Sequence, residues 1–366
     1  MQNKKADMKQ KSVFANVLVT AVGGIVGEGI VKSLKFANMS DASPVKYKIY
    51  GVDMNDQAAG LYRCDYGILI PPASSTDYIG SIKGIISKYD IRAVYVGSDI
   101  ELAAIAQAKS HLESNSNAIV ITNPPEVIET ARDKWKTFRF LNNNNLPRAR
   151  SCLPEDKEEF VEKFGYPLVV KPREGYGSLH FYIVHSPDEM RYALEAIQKH
   201  GWRPIVQEYL HGTNQEFTSG VTIDKSGSYV MSSISLRKFP KSGQTYKAFV
   251  DSFDITRKSA EEIAMKLGVR SAVNIQVKFD GNEAKVFEIN PRFSATLPIR
   301  AVAGINEPDL IYRNSVLGED ICIKEYKKML CLRYWNEIYV EPSAYERLSS
   351  LKQIDQDNYS FSIDYF

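Results

Sequence analysis

The chain has 366 residues, 44% of them hydrophobic and 25% charged, and its 46 basic and 44 acidic side chains leave a formal net charge of +2. That is chain enough for two or three compact units of roughly 150 residues each, with no global field that would gather nucleic acid. Four scattered cysteines form no CxxC pair and the five histidines show no ligand spacing with them, as expected of free thiols in a reducing cytoplasm.

The polar, basic start MQNKKADMKQKSVF precedes an apolar run too short for a signal core or a membrane span, and residues 1–13 read as a loose tail. Residues 14–20 (FANVLVT) then run through Ala21-Val22-Gly23-Gly24-Ile25-Val26-Gly27 into residues 30–36, a strand, a glycine turn and a helix. A second strand, residues 47–53, ends in Asp53. Strands at 66–70, 93–97 and 118–122 alternate with helices at 76–89 and 101–112. Strand and helix alternating at this spacing predict a parallel, doubly wound sheet over residues 14–123. Asn123-Pro124-Pro125 breaks the pattern, and a helix around Arg132-Asp133-Lys134-Trp135 follows, ended by the run 142–145 and Pro147. Residues 151–215 read as a smaller α+β unit, with strands at 168–171, 181–184 and 205–208 and a helix at 187–199. Residues 216–320 are strand rich and then helical. The tyrosine-rich stretch 325–366 yields only strands near 330–334 and 337–340.

Three stretches carry chemistry. Val169-Val170-Lys171-Pro172-Arg173-Glu174-Gly175-Tyr176-Gly177-Ser178 is a strand ending in a lysine, then a turn whose glycines and serine free backbone N–H groups to face an anion. The lysine supplies point charge and the amides directed donors, which suits a triphosphate. The Walker pattern is absent, and a surface hairpin turn has the same composition. In residues 205–210 (IVQEYL) Glu208 ends an apolar strand, and Glu216 opens the next. Such a hinge has backbone groups for an adenine edge and a nearby carboxylate for ribose hydroxyls.

The third stretch, residues 273–293 (VNIQVKFDGNEAKVFEINPRF), lines up polar side chains along strand surfaces. Asn274, Gln276 and Lys278 alternate with Val273, Ile275, Val277 and Phe279, as Glu288 and Asn290 do with Phe287 and Ile289. Asp280-Gly281-Asn282 signals a hairpin. A three-residue loop at 281–283 sets Gln276 opposite Glu288 and Asn274 opposite Asn290; a two-residue loop puts them on opposite faces. The first register is expected. A carboxylate, two amides and Arg292 on one face suit Mg²⁺ and phosphate, although a half-solvated antiparallel sheet shows the same alternation.

In chain order, Lys134, the loop from Lys171 to Ser178, Glu208, Glu216, Gln276 and Glu288-x-Asn290-x-Arg292 resemble the ATP-grasp superfamily. The likeness is greatest to the branch typified by one synthetase half of the carbamoyl phosphate synthase large chain. It is strongest over residues 274–310, extends to Ser98-Asp99-Ile100-Glu101-Leu102 and Arg132-Asp133-Lys134, and covers about residues 14–320. The resemblance implies an α/β, Rossmann-like pre-ATP-grasp domain (14–123) followed by a two-lobed α+β ATP-grasp domain, with small lobe 124–215, large lobe 216–320 and a C-terminal extension 321–366. It implies ATP and Mg²⁺ (or Mn²⁺). Lys134 and Lys171 would contact the phosphates, Gly175, Gly177 and Ser178 would close over them, Glu208, Tyr209 and Leu210 would hold adenine, and Glu216 the ribose. Gln276, Glu288 and Asn290 would hold the metal, Arg292 the transferring phosphoryl group, and Arg300 a substrate or phosphate.

The implied activity is that of an ATP-dependent carboxylate-amine ligase, which activates a carboxylate as an acyl phosphate for attack by an amine, forming an amide or peptide bond. Small-molecule substrates and a cytoplasmic setting follow, without nucleic acid or membrane; the family is often dimeric. A single synthetase-like half points to a stand-alone ligase rather than carbamoyl phosphate synthase itself. Leu179 and His180 depart from the small and basic residues common after the glycine turn, and His180 is expected as an exposed loop histidine.

Three alternatives stay open. One is an enzyme that phosphorylates bicarbonate or carbamate, and another a non-catalytic ATP-binding protein on the same fold. The third is an NAD(P)-dependent oxidoreductase, since residues 20–27 with Asp53 resemble the TGxxGxxG turn of short-chain dehydrogenases, Ala21 replacing a glycine. Against it, neither GxGxxG spacing nor a Tyr-x-x-x-Lys pair occurs. Candidate acceptor linings are the 23–29 loop, Arg237-Lys238, expected as a solvated pair, and residues 294–300.

Overall fold

The computed structural model describes residues 12–41, 43–175, 179–210, 215–239, 245–279, 283–334, 336–355 and 360–363. Most of the expected tail, the turn residues Gly177 and Ser178, and Asp280-Gly281-Asn282 lie outside the described residues.

Strands β1 (Val13–Val19), β2 (Val45–Asp53), β3 (Tyr66–Leu69), β4 (Ala93–Tyr95) and β5 (Ile119–Ile121) are separated by helices α1 (Ile25–Asn38), α2 (Tyr78–Lys88), α3 (Asp99–Gln107) and α4 (Lys109–Glu113). The strands pair in parallel in the order β3-β2-β1-β4-β5, the doubly wound sheet expected. Helices cover both faces, so Val17, Leu18 and Val19 are all fully buried in one continuous apolar run. The helix expected over 101–112 is two helices that part at Ala108. Strand order reverses between β1 and β4, and in such sheets a crevice opens beyond the carboxyl ends of those two strands. Its walls are the glycine turn after β1 and Ser98-Asp99 after β4. The turn is close-packed: a Cβ at Gly27 would lie 2.2 Å from the Ala21 carbonyl oxygen, so only glycine lets α1 start there.

Helices α5 (Pro125–Arg132) and α6 (Lys134–Asn143) replace the single helix expected around Lys134. Asp133 divides them, accepting from the Trp135 (2.9 Å) and Lys136 (3.3 Å) amides as the N-cap of α6. Next come β6 (Ser151–Cys152), α7 (Lys157–Phe164), β7 (Leu168–Pro172), β8 (Tyr182–Val184), α8 (Pro187–Lys199) and β9 (Pro204–Glu208). Their strands form an antiparallel sheet, β6-β9-β7-β8. Leu168, Val170, Val184 and Val206 on one face pack with Phe160, Met190, Leu194 and Ile197 from α7 and α8.

The larger antiparallel sheet runs β14-β13-β10-β11-β12-β15, from β10 (Gln215–Ile223), β11 (Val230–Lys238), β12 (Lys247–Val250), β13 (Ala272–Phe279), β14 (Ala284–Asn290) and β15 (Met329–Leu332). Helix α9 (Asp254–Leu267) covers Phe217, Val221, Ile275 and Val277 on one face. Helices α10 (Leu297–Ala303) and α11 (Glu307–Ser315) cover Ile234 and Leu236 on the other. The stretch that sequence could not place serves two sheets. After β15 come β16 (Tyr339–Val340), α12 (Pro342–Leu351), β17 (Gln353–Asp355) and β18 (Ser360–Phe361). Strand β17 pairs antiparallel with β3 at the edge of the first sheet, and Ala344, Leu348 and Ile354 are buried in its core. The stretch thereby covers an edge that would otherwise present unpaired backbone groups. Among the described residues no helix is long and apolar enough to cross a membrane.

Candidate active site

The site lies where the small antiparallel sheet faces the large one. Because Leu168 and Val170 pack towards α7 and α8, Val169 and Lys171 point the other way. Gln207 and Ile183 stand beside Val169 in the ladder, so they share that side. Ile183 is 42% exposed, and Phe181, two residues earlier in the same alternation, is 46% exposed. Sequence reading placed 181–184 in a strand but gave these side chains no role. Their exposure on the lysine side marks an apolar wall suited to a flat ring.

Two lysines converge on the cleft. Lys171, 6% exposed, donates to Gln207 Oε1 (2.9 Å) and the Phe287 carbonyl (3.4 Å). Lys134 donates to the carbonyls of Gly175 (2.9 Å) and Arg173 (3.4 Å). Neither has a carboxylate within ion-pair distance among the described residues. Burial lowers the Lys171 ammonium to about 7, Lys134 adding to the effect and Glu288 opposing it. Burial also lowers Lys134. Beside them, Arg173 grips Asp133 through Nε (3.1 Å) and Nη2 (2.5 Å). Burial would raise the Asp133 carboxyl, but the Arg173 bond and the Trp135 amide outweigh it and hold it below its ordinary value. The start of α6 is thus fastened to the end of β7, which fixes Lys134 relative to Lys171.

The β13–β14 hairpin carries the expected polar face by an unexpected route. Asn274 pairs with Asn290 and Gln276 with Glu288, the expected register. Towards the turn, however, the ladder closes on Phe279 and Ala284 and shifts by one residue between Gln276 and Val277. A bulge at Phe287, not a three-residue loop, restores the register. The extra residue turns Phe287 away from the core expected for it. Val286 and Ile289 fill that core, while the Phe287 ring sits 5.8 Å from Lys171 Nζ. Gln276 Nε2 donates to Glu288 Oε2 (3.1 Å), and Glu288 lines a cleft with Lys134, Gly175, Asn290 and Arg292.

Arg292 is held by a residue to which sequence reading gave no role. Its guanidinium pairs with Asp99 through Nε (2.8 Å) and Nη2, and donates to Asn290 Oδ1 (3.1 Å). Asp99 opens α3 on the crevice wall of the first sheet, so one ion pair joins that crevice to the Glu288 face. Two residues on, Glu101 accepts from Thr20 Oγ1 (2.5 Å), and burial raises its carboxyl to about 7.

The remaining candidates divide. Glu208 accepts from the Arg150 amide (2.7 Å) and pairs with Lys285 (3.5 Å), while Tyr209 lies under Lys278, 5.1 Å away. Leu210 is buried. Glu216 is paired with Lys238, so Lys238 is not the solvated cation expected, and Arg237 stacks on Phe249 at 5.1 Å. His180 is half-buried rather than exposed, its ring 4.3 Å from His200 and its Nδ1 3.2 Å from the Tyr182 hydroxyl.

Arg300 departs from its expected contact with substrate or phosphate. It is fully buried, donating to Glu307 Oε1 (2.7 Å) and Asn274 Oδ1 (2.5 Å). A Cβ at Gly220 would come within 1.9 Å of Arg300 Nη1, so the glycine makes room for the guanidinium. Arg300 therefore positions Asn274, one pair behind the Gln276–Glu288 row. Arg300→Met is expected to cost about 3–5 kcal/mol by stranding Glu307, with Glu307→Leu added to it recovering part of the loss, both measured by denaturant unfolding. A stable Arg300→Met protein with only a raised substrate KM would restore the ligand role.

Similarity to known proteins agrees with this geometry. Residues 131–296 match the ATP-grasp domain family and residues 19–120 the PylC-like N-terminal domain family. The carbamoyl phosphate synthase large chain of Clostridium perfringens (strain SM101 / Type A) is 29% identical over 257 residues, 65% of this chain and 22% of that one. That of Pseudomonas syringae pv. tomato is 26% identical over 234 residues, 56% of this chain and 22% of that one. The chain thus spans about a fifth of the length of these curated relatives. Among solved structures, N5-carboxyaminoimidazole synthetase from Staphylococcus aureus complexed with ADP has a TM-score of 0.66 at 15% identity, covering 94% of this chain and 87% of that one. The biotin carboxylase domain dimer of Hydrogenobacter thermophilus 2-oxoglutarate carboxylase, in complex with MgADP, ADP and bicarbonate, scores 0.66 at 18% identity, covering 86% and 72%. An L-amino acid ligase from Bacillus licheniformis scores 0.59 at 16% identity, covering 84% and 75%. At these identities the structural likeness is one of fold.

Proposed function

We propose, on the premise that this chain belongs to the ATP-grasp family through its domain at residues 131–296 and carries a PylC-like N-terminal domain, that it is an ATP-dependent carboxylate-amine ligase. The observation that carries the reading is the pair of half-buried Lys134 and buried Lys171, which both feel Glu288 and, among the described residues, have only neutral oxygens as hydrogen-bond partners. Buried cations without counter-ions are costly, and a polyphosphate entering the cleft supplies the missing charge.

The donor set fits a nucleotide-bound Mg²⁺. Among the described residues no three acidic, histidine or cysteine side chains gather to cage a metal. Mg²⁺ characteristically takes one or two carboxylates and completes its shell with phosphate and water. Glu288 supplies the carboxylate, with Gln276 and Asn290 beside it. When bound, MgATP supplies the γ-phosphoryl group that turns a carboxylate into an acyl phosphate, making phosphate the leaving group. On this reading Lys134 and Lys171 hold phosphate oxygens, Gly175, Gly177 and Ser178 cover them, and Glu208, Tyr209, Leu210, Ile183 and Phe181 surround adenine. Glu216 reaches ribose, and Arg292, oriented by Asp99, neutralises charge at the transferring group.

We divide the chain for this purpose into the first sheet's domain (14–123), small lobe (124–215), large lobe (216–320) and extension (321–366). Small-molecule substrates, a cytoplasmic setting and a homodimer belong to the same proposal; the dimer of the Hydrogenobacter domain supports the last. A second reading, phosphorylation of bicarbonate or carbamate, is favoured by the carbamoyl phosphate synthase relatives. ADP release from MgATP separates the two. Dependence on a carboxylate together with an amine supports the ligase, and stimulation by bicarbonate alone supports the second. No release with any pool of amino acids, dicarboxylates or bicarbonate, MgATP binding being retained, would overturn both.

A further inference from the structure

Helix α1 is covered on two sides and lines a cavity on the third. Val26, Ile30, Leu34 and Ala37 pack on the first sheet. Gly29 meets α10, where a Cβ would stand 3.7 Å from Leu297 and 3.6 Å from Pro298. The remaining side, from Glu28 and Val31 to Lys35, Phe36 and Met39, recurs at helical spacing and faces a cavity of about 510 Å³. Ala59, Gly60 and Arg63 form its second wall, and residues 336–338, between β15 and β16, its third. Its apolar lining is open: Phe36 is 40% and Met39 79% exposed, with Ile338 across from them on the third wall. A concavity of this size with exposed apolar walls and a few converging polar groups has the character of a small-molecule site.

The polar groups are two cations without partners. Lys35 and Arg63 are both half-buried, and among the described residues neither side chain has a hydrogen bond or a carboxylate within ion-pair distance. The acids nearby are engaged elsewhere or solvated. Asp65 accepts from the Ile49 amide (2.7 Å), Glu28 pairs with Lys32 (3.0 Å), and Glu337 is exposed. Burial lowers the Lys35 ammonium; Asp65 opposes the effect and Arg63 adds to it, so the two cations stand close enough to repel. Cys64 is no counter-ion, because burial pushes its thiol up to about 12. Two like charges drawn together and partly stripped of water favour an anion between them.

This cavity is separate from the nucleotide cleft. Lys35 stands eleven residues beyond Gly24, about 16 Å along the helix axis from the glycine turn, and no residue that lines the Glu288 cleft also lines the cavity.

We propose that the cavity is a second ligand site, taking a small organic anion whose apolar body lies against Phe36, Met39 and Ile338 and whose carboxylate or phosphate head meets Lys35 and Arg63. A lysine point charge beside an arginine fork suits either head group.

The test titrates four probes separately into the full chain saturated with MgADP, which keeps them out of the nucleotide cleft, for wild type, Lys35→Met and Arg63→Met. Octanoate and octyl phosphate carry both body and head, octan-1-ol lacks the charge, and inorganic phosphate lacks the body. At least one octyl anion is expected to bind wild type, and about tenfold to a hundredfold more weakly to each variant. Octanoate alone assigns a carboxylate head, and octyl phosphate alone a phosphoryl head. Without probe, the unfolding midpoint of each variant should hold or rise, since each substitution removes a half-buried charge that has no partner. The proposal is overturned if neither octyl anion binds wild type, if both variants bind as wild type does, or if octan-1-ol or inorganic phosphate binds as tightly as the octyl anions. No turnover is measured, so the outcome is independent of the ligase reading.

Discussion

Replacing Glu288 by alanine is expected to lower acceptor-dependent ADP release at saturating MgATP by about a hundredfold to a thousandfold, with the unfolding midpoint little changed. Glu288 is the carboxylate that stands with Gln276 and Asn290, so its loss leaves two amides to hold a divalent ion, and amides compensate little of the charge that develops on the transferring oxygens. Its neighbours do not need it for folding, because the core side of the hairpin belongs to Val286 and Ile289. Glu288→Gln, which keeps size and hydrogen bonding to Gln276, separates charge from shape and is expected to lose nearly as much. Steady-state ADP release against Mg²⁺ concentration is the measurement, and the metal requirement should rise in both variants. Unchanged turnover and Mg²⁺ dependence would move the metal away from this hairpin.

Wild-type protein is expected to take up a proton when it binds nucleotide at pH 8, and Lys171→Met to lose most of its affinity together with that uptake. The sign follows from the lowered ammonium. With burial holding Lys171 near 7, the unliganded protein at pH 8 carries it mostly neutral. Phosphate beside it favours the charged form, so its value rises in the complex and the complex binds a proton that the free protein lacks. Affinity therefore falls as pH climbs above about 7, by up to about tenfold per pH unit, until the complex itself begins to deprotonate. Titration calorimetry in two buffers of different ionisation heat reads the uptake directly. Equal heats in both buffers at pH 8 would mean either that Lys171 does not meet the phosphates or that the empty cleft already holds it charged. Lys171→Arg, whose charge does not titrate in this range, should bind nucleotide without uptake.

Sequence alone determined the alternation of strand and helix over residues 14–123 and the polar alternation that puts Gln276 and Glu288 on one face once they pair in the expected register, because both depend on local periodicity. The order of lysines, acids and amides was legible for the same reason: each stands at the end of a strand or turn that its own neighbours specify. Tertiary structure decided how that register is reached, since the Phe287 bulge trades one residue between loop and strand at no visible cost in pattern and swings a core-type residue onto Lys171. It also decided which charges are spent inside the protein. Arg300 and Lys238 look as available in sequence as Arg292, yet Glu307, Asn274 and Glu216 reach them from elsewhere in the chain. Asp99 reaches Arg292 from 193 residues away, and the tail at 353–355 finds an edge strand near the start of the chain. Periodicity reports which face a side chain occupies; what stands opposite that face depends on how separate elements pack, and no local pattern encodes it.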